Sequence, residues 1–113
     1  MKEFLLIIRG GDDESGHRSP EEMQKHMQHW QRWMSGLAEE GKFVGGQPLK
    51  SEGKTIVEGG SRVIDRPLAE GKELVGGYLL IHADSLEDAT NISKDCPGFE
   101  YNCSVEVREI SPM

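Results

Sequence analysis

The stretch Lys2-Glu3-Phe4-Leu5-Leu6-Ile7-Ile8-Arg9-Gly10-Gly11 decides the fold. A continuous apolar run from Phe4 to Ile8, closed by two glycines, reads as a strand buried on both faces, and such a strand belongs in the middle of a sheet. Asp12 to Arg18 is acidic, polar and glycine-containing, so it reads as a loop. Ser19-Pro20-Glu21-Glu22 then starts a helix: Ser19 caps, Pro20 fits the first helical position and Glu22 completes a capping box. Along that helix Met23, His26, Met27, Trp30, Trp33, Met34 and Leu37 fall within an arc of about 120°, and Gly41 is its stop.

The remaining elements follow by the same reading. Phe43-Val44 is a short strand running into the turn Gly45-Gly46-Gln47-Pro48-Leu49, whose glycines permit a bulge or a close backbone approach. Lys54 to Glu58 and Arg62 to Asp65 flank Gly59-Gly60 as a small hairpin, which Asp65-Arg66-Pro67-Leu68 leaves as a loop. Leu74 to Ala83 is a second buried strand. Ser85-Leu86-Glu87-Asp88 caps a second helix with Leu86, Ala89 and Ile92 on one face, ended by Asp95-Cys96-Pro97-Gly98. Ser104 to Ile110 alternates as a half-exposed strand does. The order is a doubled β-α-β pattern with an inserted hairpin, which predicts a ferredoxin-like α+β fold in one domain over 1–113. Both helices then cover one face of an antiparallel sheet, and the other face is left to water or a second copy of the chain.

Composition narrows the function. The 113 residues suit one domain, and at this length only about two-thirds of the unfolded surface is buried, which favours a homodimer that closes the core. A net charge of −7 repels phosphate backbones and anionic lipid head groups, so neither nucleic acid nor membrane is an expected partner. The longest apolar run is far too short to span a bilayer and starts too early for a signal peptide, which points to a cytoplasmic protein. Cys96 and Cys103 form no CxxC and are expected as free thiols. The glycine pairs match no phosphate-binding loop, and no cofactor is expected.

Taken in order, Phe4 to Gly10, Ser19 to Gln28, Gly45 to Leu49, Asp65 to Glu70, Gly76-Gly77-Tyr78 and Glu106-Val107-Arg108 resemble the YCII-related family, in its branch with a DGPF motif. The resemblance runs from about Lys2 to Ile110. It implies a dimeric α/β barrel in which two ferredoxin-like sheets face each other around a cavity. Members of that branch are often encoded beside alternative sigma factors, and relatives in the wider family include a dehydrochlorinase acting on chlorinated hydroxyhydroquinone. The resemblance also implies a His on the first helix, here His26, paired with an Asp near the end of the second. At that place this chain has Cys96 before Pro97, with Asp95 one position earlier. The DGPF motif itself stands as Asp65-Arg66-Pro67-Leu68.

The candidate catalytic residues are therefore His26, Asp95 and Asp65, with Arg9, Tyr78 and Trp30 as candidates for binding a small-molecule ligand. His26 has the chemistry of a general base if a carboxylate stands beside it. His29 lies outside the apolar stripe and reads as solvent-facing; His26-x-x-His29 has no third ligand nearby in sequence, so no metal is expected. Asp65 either caps its own turn or points into a cavity. Cys96 sits at a helix C-terminus, where the dipole raises a thiol's pKa, and reads as structural. Two functions fit: a cofactor-independent enzyme that abstracts a proton from, or eliminates on, a cyclic or phenolic substrate with His26 as base, and a non-catalytic binding or regulatory module associated with an alternative sigma factor.

Overall fold

In a computed structural model, which describes residues 1–11 and 18–112, the opening run becomes strand β1 (Lys2–Gly10). Of the loop expected over Asp12 to Arg18, residues 12–17 lie outside the described residues. There follow α1 (Pro20–Glu39), β2 (Phe43–Pro48), β3 (Thr55–Val57), β4 (Arg62–Ile64), β5 (Val75–Ala83), α2 (Leu86–Ser93) and β6 (Cys103–Glu109). A 3-10 turn, Pro97–Tyr101, links α2 to β6. Strands β2-β5-β1-β6 form one antiparallel sheet, and β3-β4 pair separately as a hairpin. This is the expected ferredoxin-like α+β order, with β1 central.

Alternation along the two central strands divides the sheet into unlike faces. Phe4 pairs with Ile81 and Leu6 with Leu79, all buried on the helix side with Ala83, Ala89, Leu37 and Cys96. Trp30, Trp33, Met34, Phe43, Ile92, Val105 and Val107 pack around this core. On the opposite face Leu5 pairs with Leu80 and Ile7 with Tyr78, and these four are only half-buried. Burial on both faces, expected of the apolar run, is thus met on one face within a single chain. The chain is correspondingly flat, 45 × 44 × 18 Å, with a radius of gyration of 15.7 Å against about 13 Å for a compact domain of this length.

Three local departures have physical causes. Strand β2 runs on through Gly45-Gly46, where a turn is expected, because a bulge lets the glycines lie against β5; a Cβ on Gly46 would stand 2.6 Å from the Tyr78 carbonyl oxygen. The β3-β4 hairpin turns at Gly59 and Gly60, both with positive φ, and leaves its cross-strand pair Ile56 and Val63 exposed. On α1 the apolar stripe is covered only toward its C-terminal end: Leu37 is buried, whereas Met23 and Met27 are exposed. In the first half of α1, His26 packs on Tyr101 of the 3-10 turn, while Met23 and Met27 beside it stay exposed.

Candidate functional site

Capping and periodicity place the site's central residue. The Glu22 N–H donates to Ser19 Oγ at 3.1 Å, which fixes where α1 starts and hence which way its side chains point. His26 and Trp30, four residues apart, share one face. The Trp30 Nε1–H donates to His26 Nε2 at 2.9 Å. On its other side the His26 ring stacks on Tyr101, with centroids 4.0 Å apart and planes 15° from parallel. The Arg18 guanidinium lies 3.7 Å above the centroid of the Tyr101 ring.

Tyr101 is brought there by the 3-10 turn. Pro97, Gly98 and Tyr101 are buried, and Asn102 then adopts a left-handed conformation that turns the chain into β6. Glu100, one residue earlier, projects outward and stands between two histidines of α1. Its Oε2 is 3.4 Å from His26 Nδ1, and its Oε1 is hydrogen-bonded to His29 Nδ1.

These bonds set the proton positions. An indole N–H can only donate, so His26 Nε2 must accept and the ring proton sits on Nδ1, which donates to Glu100. The His29 Nδ1–H donates to the same carboxylate, and its Nε2 has no hydrogen-bond partner among the described residues. The His29 bond, helped by the one from His26, holds the Glu100 carboxyl below the ordinary carboxylate range. The site therefore contains a carboxylate that stays ionised and two imidazole rings orientated by it. The side chain of His26 is only 12% exposed and that of His29 43%, so the two differ in access to solvent. Three residues of ligating type, His26, His29 and Glu100, meet here, yet both ring nitrogens of His26 are engaged by Trp30 and Glu100; among the described residues no group of three or more His, Cys, Asp or Glu is placed to hold a metal ion.

Two concavities adjoin the group. A small one of about 80 Å³ is lined by Arg18, Met23, His26, Met27 and Tyr101. A larger one of about 530 Å³ opens between α1 and the α2–β6 connection, with His29, Arg32, Trp33, Lys94, Phe99 and Glu100 among its walls.

The other sequence candidates are dispersed. Trp30 joins His26 as described. Asp95 is exposed and lines the larger cleft; its side chain does not reach His26. Asp65 instead pairs with Lys54 Nζ at 2.6 Å across the base of the hairpin. Arg9 and Tyr78 lie on the open face of the sheet, away from the helices; Arg9 pairs with Glu106 Oε1 at 3.2 Å and donates to the Glu73 carbonyl at 3.3 Å. Cys96 and Cys103 are free thiols. Burial, more than the helix dipole, pushes the Cys96 thiol up to about 11, with Cys103 adding to the shift and the Gly98 N–H opposing it. Sequence reading missed Glu100 and Tyr101, and His29 is not merely solvent-facing because it is bound to Glu100. The turn-forming Pro97-Gly98 was the only local sign that the next residues fold back on α1.

The fold is thus a ferredoxin-like sheet whose first helix presents two imidazoles to a carboxylate of the 3-10 turn. The chain belongs to the YCII-related domain family, whose model matches residues 3–113. No curated protein matches it. None of the helices among the described residues is long and apolar enough to cross a membrane.

Proposed function

We propose that the protein is a cofactor-independent enzyme of the DGPF branch that moves a proton on a small cyclic or phenolic substrate, by abstraction or elimination, using the imidazole–carboxylate group of α1 and the 3-10 turn. The observation that carries this reading is Glu100, a carboxylate within hydrogen-bond reach of His26 Nδ1, where Asp95 at the end of the second helix makes no such bond. A carboxylate at Nδ1 fixes the tautomer whose Nε2 is basic, as in any general-base histidine. His26 keeps its place as a member of the group, and Glu100 takes the role expected of Asp95 or Asp65.

In this reading the working molecule is a cytoplasmic homodimer. The half-buried face carrying Leu5, Ile7, Tyr78 and Leu80 is apolar and uncovered, and a second sheet laid on it would complete a barrel. Arg9 and Tyr78 then face the enclosed space.

The Trp30 N–H on His26 Nε2 favours the second reading, a binding module, because a nitrogen already accepting a hydrogen bond is not open to substrate. Hydrogen–deuterium exchange into a panel of phenols and cyclic ketones in D₂O, followed by NMR, separates the two. The enzyme reading expects exchange that falls about 100-fold in Glu100→Gln and His26→Gln with circular dichroism unchanged. Ligand binding without exchange selects the module, and exchange indifferent to both substitutions overturns the imidazole–carboxylate reading.

A further inference from the structure

Glu100 holds two imidazoles, and they are not equivalent. His26 has both nitrogens engaged inside the protein, Nε2 by Trp30 and Nδ1 by Glu100, and its ring is stacked on Tyr101. Adding a proton at Nε2 would set it against the indole N–H, so His26 takes a substrate's proton only after Trp30 has let go. His29 has the same carboxylate at Nδ1, is half-exposed and forms part of the wall of the larger cleft, where its remaining nitrogen has no protein partner among the described residues. That cleft has room for a small ring, with Trp33 and Phe99 as flat apolar walls and Arg32 and Lys94 as cations near the place where negative charge would develop.

We infer that His29 Nε2 is the atom that receives the proton, in the cleft between α1 and the α2–β6 connection, and that the substrate is a planar carbon acid whose conjugate base is anionic. The inference rests on the imidazole–carboxylate reading above and assigns its base. In the step, the C–H bond breaks, its electron pair stays on the substrate and either delocalises or expels a leaving group, and the proton binds His29 Nε2. Glu100 remains a carboxylate facing the imidazolium through Nδ1–H. Water then takes the proton and restores the neutral ring. His26 positions Glu100 from the inner side.

Two measurements on the full chain test this. Diethyl pyrocarbonate acylates an unprotonated, accessible imidazole nitrogen with release of carbon dioxide and ethanol, and the labelled histidine is mapped by mass spectrometry. His29 should be labelled at least about tenfold faster than His26, because the His26 lone pair is engaged and its ring shielded. With a nitrobenzisoxazole as the carbon acid, loss of the ring C–H proton breaks the N–O bond and releases a coloured cyanonitrophenolate. That turnover should fall about 100-fold in His29→Gly, with circular dichroism unchanged, and be restored in part by added imidazole, which fits the space vacated. Labelling of His26 as fast as His29, or turnover that survives in His29→Gly, overturns the assignment. Loss of exchange in His26→Gln and Glu100→Gln together with unaltered exchange in His29→Gly would also overturn it, while leaving the enzyme reading intact. If no panel substrate exchanges at all, the enzyme reading fails, and the labelling ratio still decides which imidazole is open.

Discussion

Strand β1 presents two sets of apolar residues that differ in nothing but parity. Phe4, Leu6 and Ile8 meet the helices and are buried, whereas Leu5 and Ile7 meet Leu80 and Tyr78 on a face that a single chain leaves half-exposed. Chemistry does not distinguish Leu5 from Leu6. What differs is whether the fold supplies a layer above them, and that divides the molecule into a side that stability depends on and a side available for association.

The largest expected effects come from testing that division directly. Phe4→Ala removes a fully buried ring beside Ile81 and should cost about 3–5 kcal/mol in denaturant unfolding of the chain. Leu80→Asp, on the open face, should leave the fold intact, as read by circular dichroism. Under the proposed homodimer it should give one copy in light scattering where the parent chain gives two, because a carboxylate facing its own copy across a dry interface is unpaired. A variant still dimeric at Leu80→Asp would mean that this face is not the association surface.

The contrast of faces was only half legible in the sequence. The apolar run and the Ser19 and Ser85 caps are local signals, and each yields its element near the right residues, whereas glycine pairs mark the turn at Gly59-Gly60 but a strand at Gly45-Gly46. An apolar stripe states which side of an element avoids water, but not what lies opposite it. That is why Met23 and Met27, read as part of the packed stripe, turn out exposed. The candidate site shows the same limit more sharply. His26 and Trp30 are four residues apart and their pairing follows from helix geometry, while Glu100 lies 74 residues from His26 and reaches it through a 3-10 turn that periodicity does not encode. The bond of His29 to Glu100 escaped the sequence for the same reason: its partner is brought by tertiary structure.

Cys96 sharpens the comparison from the buried side, since it is a titratable group inside the helix-face core. Its thiol is raised from 9.0 to about 11 in the fold, chiefly by burial, so the folded state favours the protonated form. In the unfolded chain the thiol ionises first. Its contribution is therefore fully present below about pH 9 and is lost as pH rises through about 11, at a cost of about 2–3 kcal/mol. Urea titrations at intervals between those limits should show the decline, and Cys96→Ala should flatten it. An equal slope in Cys96→Ala would assign the loss to other groups and show this thiol to be less shielded than Phe4 and Leu6.

The smallest effects separate the covered and uncovered parts of the helical layer. Ser19 and Ser85 cap α1 and α2 with the same geometry, each hydroxyl oxygen accepting from the backbone N–H three residues on at 3.1 Å. Removing either with Ser→Ala withdraws about 1 kcal/mol of helix stabilisation. The consequence should differ, because α2 buries Ala89 in its first turn and Ser93 at its end, whereas the first turns of α1 expose Met23 and Met27. Ser85→Ala therefore lowers global stability by about 1 kcal/mol. Ser19→Ala acts mainly through local opening: native-state hydrogen exchange should speed several-fold at the first turns of α1 and leave β1 and β5 unchanged. Because those turns carry His26 and His29, the same fraying should loosen their hold on Glu100. If Ser19→Ala instead lowers the protection of the whole sheet as Ser85→Ala does, the start of α1 is covered by something a single chain does not show, and the distinction between the two helices disappears.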